Sequence, residues 1–157
     1  MTTVAERMAE AFKQATGETV APPKRLSIAR GKYTLDATPG RGGGRYMVTA
    51  TAWDADSLNV DFGAKVQGSS TSVTSMEAML REARVRARAL ALLADVLGAN
   101  GWHVSQLHVG SETGLLAKTG DSCVQVFGDG SCRGYDGTAV RFATDAFDVA
   151  LGRVRER

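Results

Sequence analysis

Apolar and polar residues alternate one for one from Tyr46 to Trp53 and again from Leu58 to Gln67, then change to steps of four and three from Met76 to Leu97. The first spacing is that of a strand with one buried face, the second that of an amphipathic helix. Tyr46, Val48, Ala50 and Ala52 share one side of a strand, with Met47, Thr49, Thr51 and Trp53 on the other. Leu58, Val60, Phe62, Ala64 and Val66 repeat the pattern, and Asn59, Asp61, Lys65 and Gln67 face away from the core. A Ser/Thr-rich connection follows, with Ser75 expected as N-cap of a helix opening at Met76. In that helix Met76, Leu80, Ala83, Ala87, Leu90, Ala94 and Leu97 form the core stripe, and Glu77, Arg81, Arg84, Arg88 and Asp95 the opposite one. From Ala87 to Leu97 it is apolar almost all round, so a further element or a second subunit should cover it; Gly98 or Gly101 ends it.

The flanks carry weaker patterns. Val4, Met8, Ala11, Phe12 and Ala15 mark one face of an N-terminal helix that Gly17 stops. After Pro22-Pro23 a strand begins at Leu26 and Ile28 and resumes at Tyr33, Leu35 and Ala37, the change of parity at Gly31 suggesting a bulge. The segment PGRGGGR, Pro39 to Arg45, reads as a mobile hairpin loop. Trp102 to Val109 reads as a strand, Cys123 to Tyr135 as a hairpin about Gly128-Asp129-Gly130, and Thr138 to Arg155 as a helix with Val140, Ala143, Phe147 and Leu151 inward.

These elements predict an α+β fold of two layers, a mainly antiparallel sheet with helices packed on one face. One domain spans 1–157, with an N-terminal helix to residue 17, a sheet and long-helix core over 26–109, and a hairpin and helix over 122–157. The second half echoes the first, since each has a hairpin, a Gly-containing connection and a helix, as a duplicated hairpin-helix unit would.

Composition narrows the classes. The 157 residues are 43% apolar and 23% charged, ordinary for a globular domain, and the net charge of +2 permits an acidic partner without requiring one. No apolar run approaches the roughly 20 residues of a membrane helix, and the opening segment carries acids among its apolar residues, so it is expected to be a mature helix of a cytoplasmic protein rather than a leader. Pairing about the Gly-Asp-Gly turn sets Val126 opposite Cys132 and Cys123 opposite Tyr135, which places the two thiols on opposite faces; two reduced cysteines are expected.

The search for catalytic chemistry is negative. There is no phosphate-binding GxxxxGK[ST], and PGRGGGR is not followed by a helix that could aim amides at phosphate. A G-x-S-x-G elbow is absent. His103 and His108 lie five apart in a strand and point to opposite faces. Asp54, Asp56 and Asp61 could gather around a cation, but Asp54 and Asp56 bracket a tight turn, the ordinary reason for such residues. No cofactor, metal site or enzymatic activity is expected. The candidate contact residues for a protein partner or nucleic acid are Arg81, Arg84 and Arg88 on the long helix, with Arg86 on their flank, and Arg41 and Arg45 on the glycine loop. The alternative is a solvated helix face, with Glu77–Arg81 and Glu82–Arg86 as four-apart ion pairs. The tail arginines Arg153, Arg155 and Arg157 carry the same ambiguity.

The run YMVTATAWDADSLNVDFGAKV, then TSMEAMLREARVRARALALLADV, then WHVSQLHV, over residues 46–109, resembles the strand-strand-strand-helix-strand unit of HicB-type antitoxins. That resemblance implies a degenerate ribonuclease H-like module that binds a partner without cleaving RNA. The stretch VDFGAK followed by REARVRARALALLADVLG is similar to the core of single-strand annealing recombinases, and GYDGTAVRFATDAFDVALGRV to the regulatory domain of isopropylmalate synthase. The reading is a non-catalytic binding module acting through a protein partner, as an antitoxin-like regulator would, and forming a homo-oligomer. A nucleic-acid binder of annealing type and a structural or assembly protein are the alternatives.

Overall fold

The computed structural model describes residues 2–110 and 112–156. Among the described residues three α-helices and eight strands follow the order α1, β1–β4, α2, β5–β8, α3, and the strands form two four-stranded sheets, each in sequential order. The α+β class stands, with antiparallel pairing, as two meanders rather than one sheet. By internal contacts the chain divides into two compact units, Met1–Ala52 with Lys65–Ala83, and Trp53–Ala64 with Arg84–Arg157.

In the first unit, α1 (Val4–Thr16) starts with a Thr3–Glu6 capping box and stops at Gly17, whose φ of 79° lies in the left-handed region. It buries Met8, Ala11 and Phe12, with the Phe12 ring edge-on to Tyr33. The expected bulge at Gly31 is instead a two-residue turn between β1 (Ser27–Arg30) and β2 (Tyr33–Pro39). Gly31 alone takes a positive φ there, as a type II′ hairpin requires, and the turn returns Leu35 opposite Ile28, which explains the change of parity. Leu35 and Ala37 then pair with Ala50 and Val48 of β3 (Tyr46–Ala55), so the alternation read from sequence is the core face. PGRGGGR joins β2 to β3 through a short 3₁₀ turn, Arg41–Gly43. A Cβ on Gly40 would fall 2.3 Å from the Arg45 carbonyl oxygen, so the loop closes only over glycine. Helix α2 (Val73–Ala99) opens three residues earlier than expected, because Ser72 rather than Ser75 accepts the first-turn amide.

In the second unit the ends of β3 and β4 (Asp61–Gly68) meet at a turn held by Asp56, whose carboxylate accepts the amides of Leu58 and Val60. The strand therefore begins at Asp61, and Leu58 is a turn residue, 80% exposed, not a core one. The Trp53 ring covers Gly63 so closely that a Cβ there would lie 2.7 Å from it. Every residue of the α2 stripe from Met76 to Leu97 is buried, and so are Ala89, Ala91 and Leu93 on its other sides. The cover expected from another element or a second subunit is supplied within the chain. Gly101, at φ 87°, turns the chain out of the helix.

The second meander comprises β5 (His103–Val109), β6 (Glu112–Thr119), β7 (Ser122–Phe127) and β8 (Cys132–Gly134). β6 had no place in the sequence reading; its alternation is confined to Leu115 and Ala117, between glycines at 114 and 120. The β7–β8 register sets Val126 opposite Cys132 as expected, and both cysteines are free. Helix α3 (Gly137–Arg155), capped by Asp136, packs on β7 and β8. It buries Ala139, Ala143, Phe147 and Ala150; of the residues expected inward, Ala143 and Phe147 are buried, while Val140 and Leu151 are half-buried at the edge of a face that Ala139 and Ala150 complete.

Candidate functional site

The helix arginines do not form one free cationic row. Arg81 is exposed and held by Glu77 at 3.0 Å, while it also donates to the Gln14 carbonyl. Arg84 and Arg88 converge on Asp54. Arg84 Nη1 lies 3.5 Å from Asp54 Oδ1 and donates to the Trp53 carbonyl at 3.1 Å, and Arg88 Nη1 donates to Oδ2 at 3.4 Å. Arg84 and Arg88 each sit one residue after a stripe position, about 100° round the helix, which brings the guanidinium to the end of β3 while the side chain stays partly solvated.

Asp54 is the functional group that the sequence reading misplaced. It does not serve the tight turn, which is the work of Asp56; it is 6% exposed, and its Oδ1 also accepts the amide of Ala55. A buried carboxylate held by two guanidinium groups is a structural clamp, costly to break from one side. The signal was available: Asp54 occupies the same parity as Val48, Ala50 and Ala52, the buried face of β3.

Arg41 and Arg45 are exposed on the β2–β3 loop. Arg153 lies in the last turn of α3, and Arg157 lies outside the described residues. His108 stands 5.9 Å from the Trp53 ring, and His103 is exposed. Asp61 and Gly63 contribute backbone carbonyls, which accept from Gln106 and Thr113. Among the described residues no group of three or more His, Cys, Asp or Glu is gathered to hold a metal. Among the described residues no helix is long and apolar enough to cross a membrane.

Charge is tuned in the second meander. Ser131 donates through its hydroxyl and amide to Asp129 and holds its carboxyl below the ordinary value, with Arg86 adding to the effect. Asp136 is lowered by the Ser122 hydroxyl and by the first amides of α3. Burial pushes the Cys132 thiol up, so it stays protonated and unreactive at neutral pH.

A different surface is left uncovered. Trp102, at the start of the second meander, stacks on Phe142 with centroids 6.2 Å apart and planes 9° from parallel. Phe142 is 43% exposed and Val149, two turns further along α3, is 57% exposed. With Ala146 between them they form a helical stripe beside which Arg141, Asp145, Asp148 and Arg153 stand in solvent. Nothing in the sequence reading singled this stripe out, because Phe142 and Val149 lie at the edge of the inward pattern of α3.

No protein-family model, curated protein or solved structure matches the chain.

Proposed function

We propose that the chain is a non-catalytic binding module that acts through a protein partner seated on the outer stripe of α3. The observation that carries this reading is the exposed Phe142 ring, stacked on the half-buried Trp102, together with the exposed Val149. An aromatic centre rimmed by charges of both signs has the anatomy of a protein interface, with flat apolar area in the middle and polar groups outside. A polyanion would meet Asp145 and Asp148 at the same rim. The arginines favour the same choice: Arg84 and Arg88 already share a carboxylate, and Arg81 a glutamate and a carbonyl. An antitoxin-like regulator is one form of this module, in which binding silences the partner's own activity.

A photo-crosslinking residue at position 149 in the native cell, followed by mass analysis, tests the proposal. One discrete adduct with another protein is expected, lost when Phe142→Asp is added. Absence of any adduct would end it. An adduct of twice the chain's mass would replace it with the assembly reading, a contact between copies.

A further inference from the structure

The face of the second meander turned away from α3 carries a groove that the protein-binding reading does not use. Its volume is about 300 Å³, at the lower end of small-ligand sites, and Cys123, Gln125, Arg133, Gly134 and Tyr135 line it. The side is fixed by Gly134: its missing Cβ would point at Val140 of α3, so Arg133, its neighbour in β8, points the other way, and Tyr135, just past the end of the strand, lines the same groove.

The register assembles the rest of the face. Ser105, Leu116, Gln125 and Arg133 stand in one row across β5, β6, β7 and β8, and His103, Lys118 and Cys123 in the next, which Tyr135 continues at the edge. Neither row holds an acidic residue; it holds Arg133, Lys118 and His103 instead. Tyr135 is fully exposed, its ring buried by nothing in the chain. Arg133 lies over the Phe127 ring, its Cζ 5.1 Å from the centroid, a cation–π contact that leaves the guanidinium N–H groups able to donate.

An exposed aromatic ring, a guanidinium over a second ring, a side-chain amide and a lysine on one face of an antiparallel sheet match the parts of one chemistry. Bases stack on the ring, phosphates meet the cations, and the amide reads a base edge. We propose that this sheet face binds single-stranded nucleic acid, one nucleotide occupying the groove with its base on Tyr135 and its phosphate at Arg133, and Lys118 meeting a neighbouring phosphate. A duplex keeps its bases stacked inside and has none to offer Tyr135. The proposal is independent of the partner on α3, which covers the opposite side of the same sheet.

The test is fluorescence anisotropy of a labelled oligothymidylate of about 12 nucleotides, against a duplex of the same length and against thymidine monophosphate, at two salt concentrations. The single strand should bind more tightly than either. Tyr135→Ala should weaken binding about tenfold with an unchanged melting temperature. Lys118→Gln should weaken it less and reduce the salt slope by about 0.7. Arg133→Gln is read only beside a melting curve, since Phe127 loses its cover. Equal affinity for duplex and single strand, or wild-type binding by both Tyr135→Ala and Lys118→Gln, would overturn the proposal, as would mononucleotide binding as tight as that of the strand.

Discussion

β1–β4 with α2 and β5–β8 with α3 repeat one order of elements and share features at two of their turns. The first hairpin of each half turns on a glycine with φ near 60°, Gly31 at 59° and Gly110 at 61°. The last hairpin of each uses an aspartate that accepts the amide two residues on, Asp56 from Leu58 and Asp129 from Ser131. The halves part at the surface. The first pairs Arg84 and Arg88 with the buried Asp54 and leaves Met47 and Leu58 in solvent; the second exposes Val149 and Tyr135 and the Phe142 ring that stacks on Trp102. One order of elements thus carries a buried ion-pair cluster in one half and exposed aromatic rings in the other, and the comparison can be broken at both points.

Core truncation gives the largest effect. Leu90 in α2 and Phe147 in α3 are both fully buried or nearly so. Leu90→Ala should cost about 2–5 kcal/mol and Phe147→Ala about 3–5 kcal/mol. Because β3, β4 and α2 each contribute residues to both compact units, either substitution should lower a single cooperative urea transition. Two separated transitions, only one of which moves, would show that the halves fold independently.

Next comes the clamp. Asp54→Ala leaves two guanidinium groups facing a buried end of β3, and a loss of about 1–3 kcal/mol is expected, below the full value for a buried pair because both arginines are partly solvated. Arg88→Gln alone should cost less, since Arg84 still holds the carboxylate. A double substitution, Asp54→Ala with Arg88→Gln, should be milder than the sum of the two singles. Strict additivity in urea midpoints would mean that the pair is not coupled.

The turn glycines test the likeness of the halves. Gly31→Ala and Gly110→Ala meet no steric obstacle, only an unfavourable φ, so each should cost about 1–2 kcal/mol and by nearly equal amounts. A difference larger than the pair's shared cost would show that the two hairpins are alike only in backbone angle.

How far the sequence discloses this division follows from periodicity. The α2 stripe and the face of β3 were legible because each had seven or four apolar residues in phase, so no other register could bury them. β6 was not, because a strand with two core residues between glycines offers too short a period to stand out from a loop. Asp54 was misread because a local rule, aspartate near a turn, competed with the strand's parity, and parity won. The arginines were visible as charges, but their partners come from β3, some 30 residues away in the chain, and spacing along a helix says nothing of that. The exposed stripe on α3 was hidden because two alanines, Ala139 and Ala150, complete the buried face with Ala143 and Phe147, which leaves Val140 at its edge and Phe142 beside Trp102.

The smallest effect distinguishes the halves by pH. Asp129 and Asp136 both titrate below the ordinary aspartate value of 3.8 in the folded chain, through Ser131 and Ser122 respectively. A depressed carboxyl contributes stability that is fully present above its unfolded value and lost as pH falls through the folded one. Both groups belong to the second half, one in the β7–β8 turn and one at the cap of α3. Acidification from pH 5 to below pH 3.8 should therefore loosen β7, β8 and the first turn of α3 before α1 and β1–β3, with amide exchange as the readout. Asp129→Asn with Asp136→Asn should be less stable at neutral pH and nearly insensitive to that acid step. Exchange that rises uniformly along the chain would mean that these two carboxylates do not set the acid limb, and that the second half owes its exposed surfaces to packing alone.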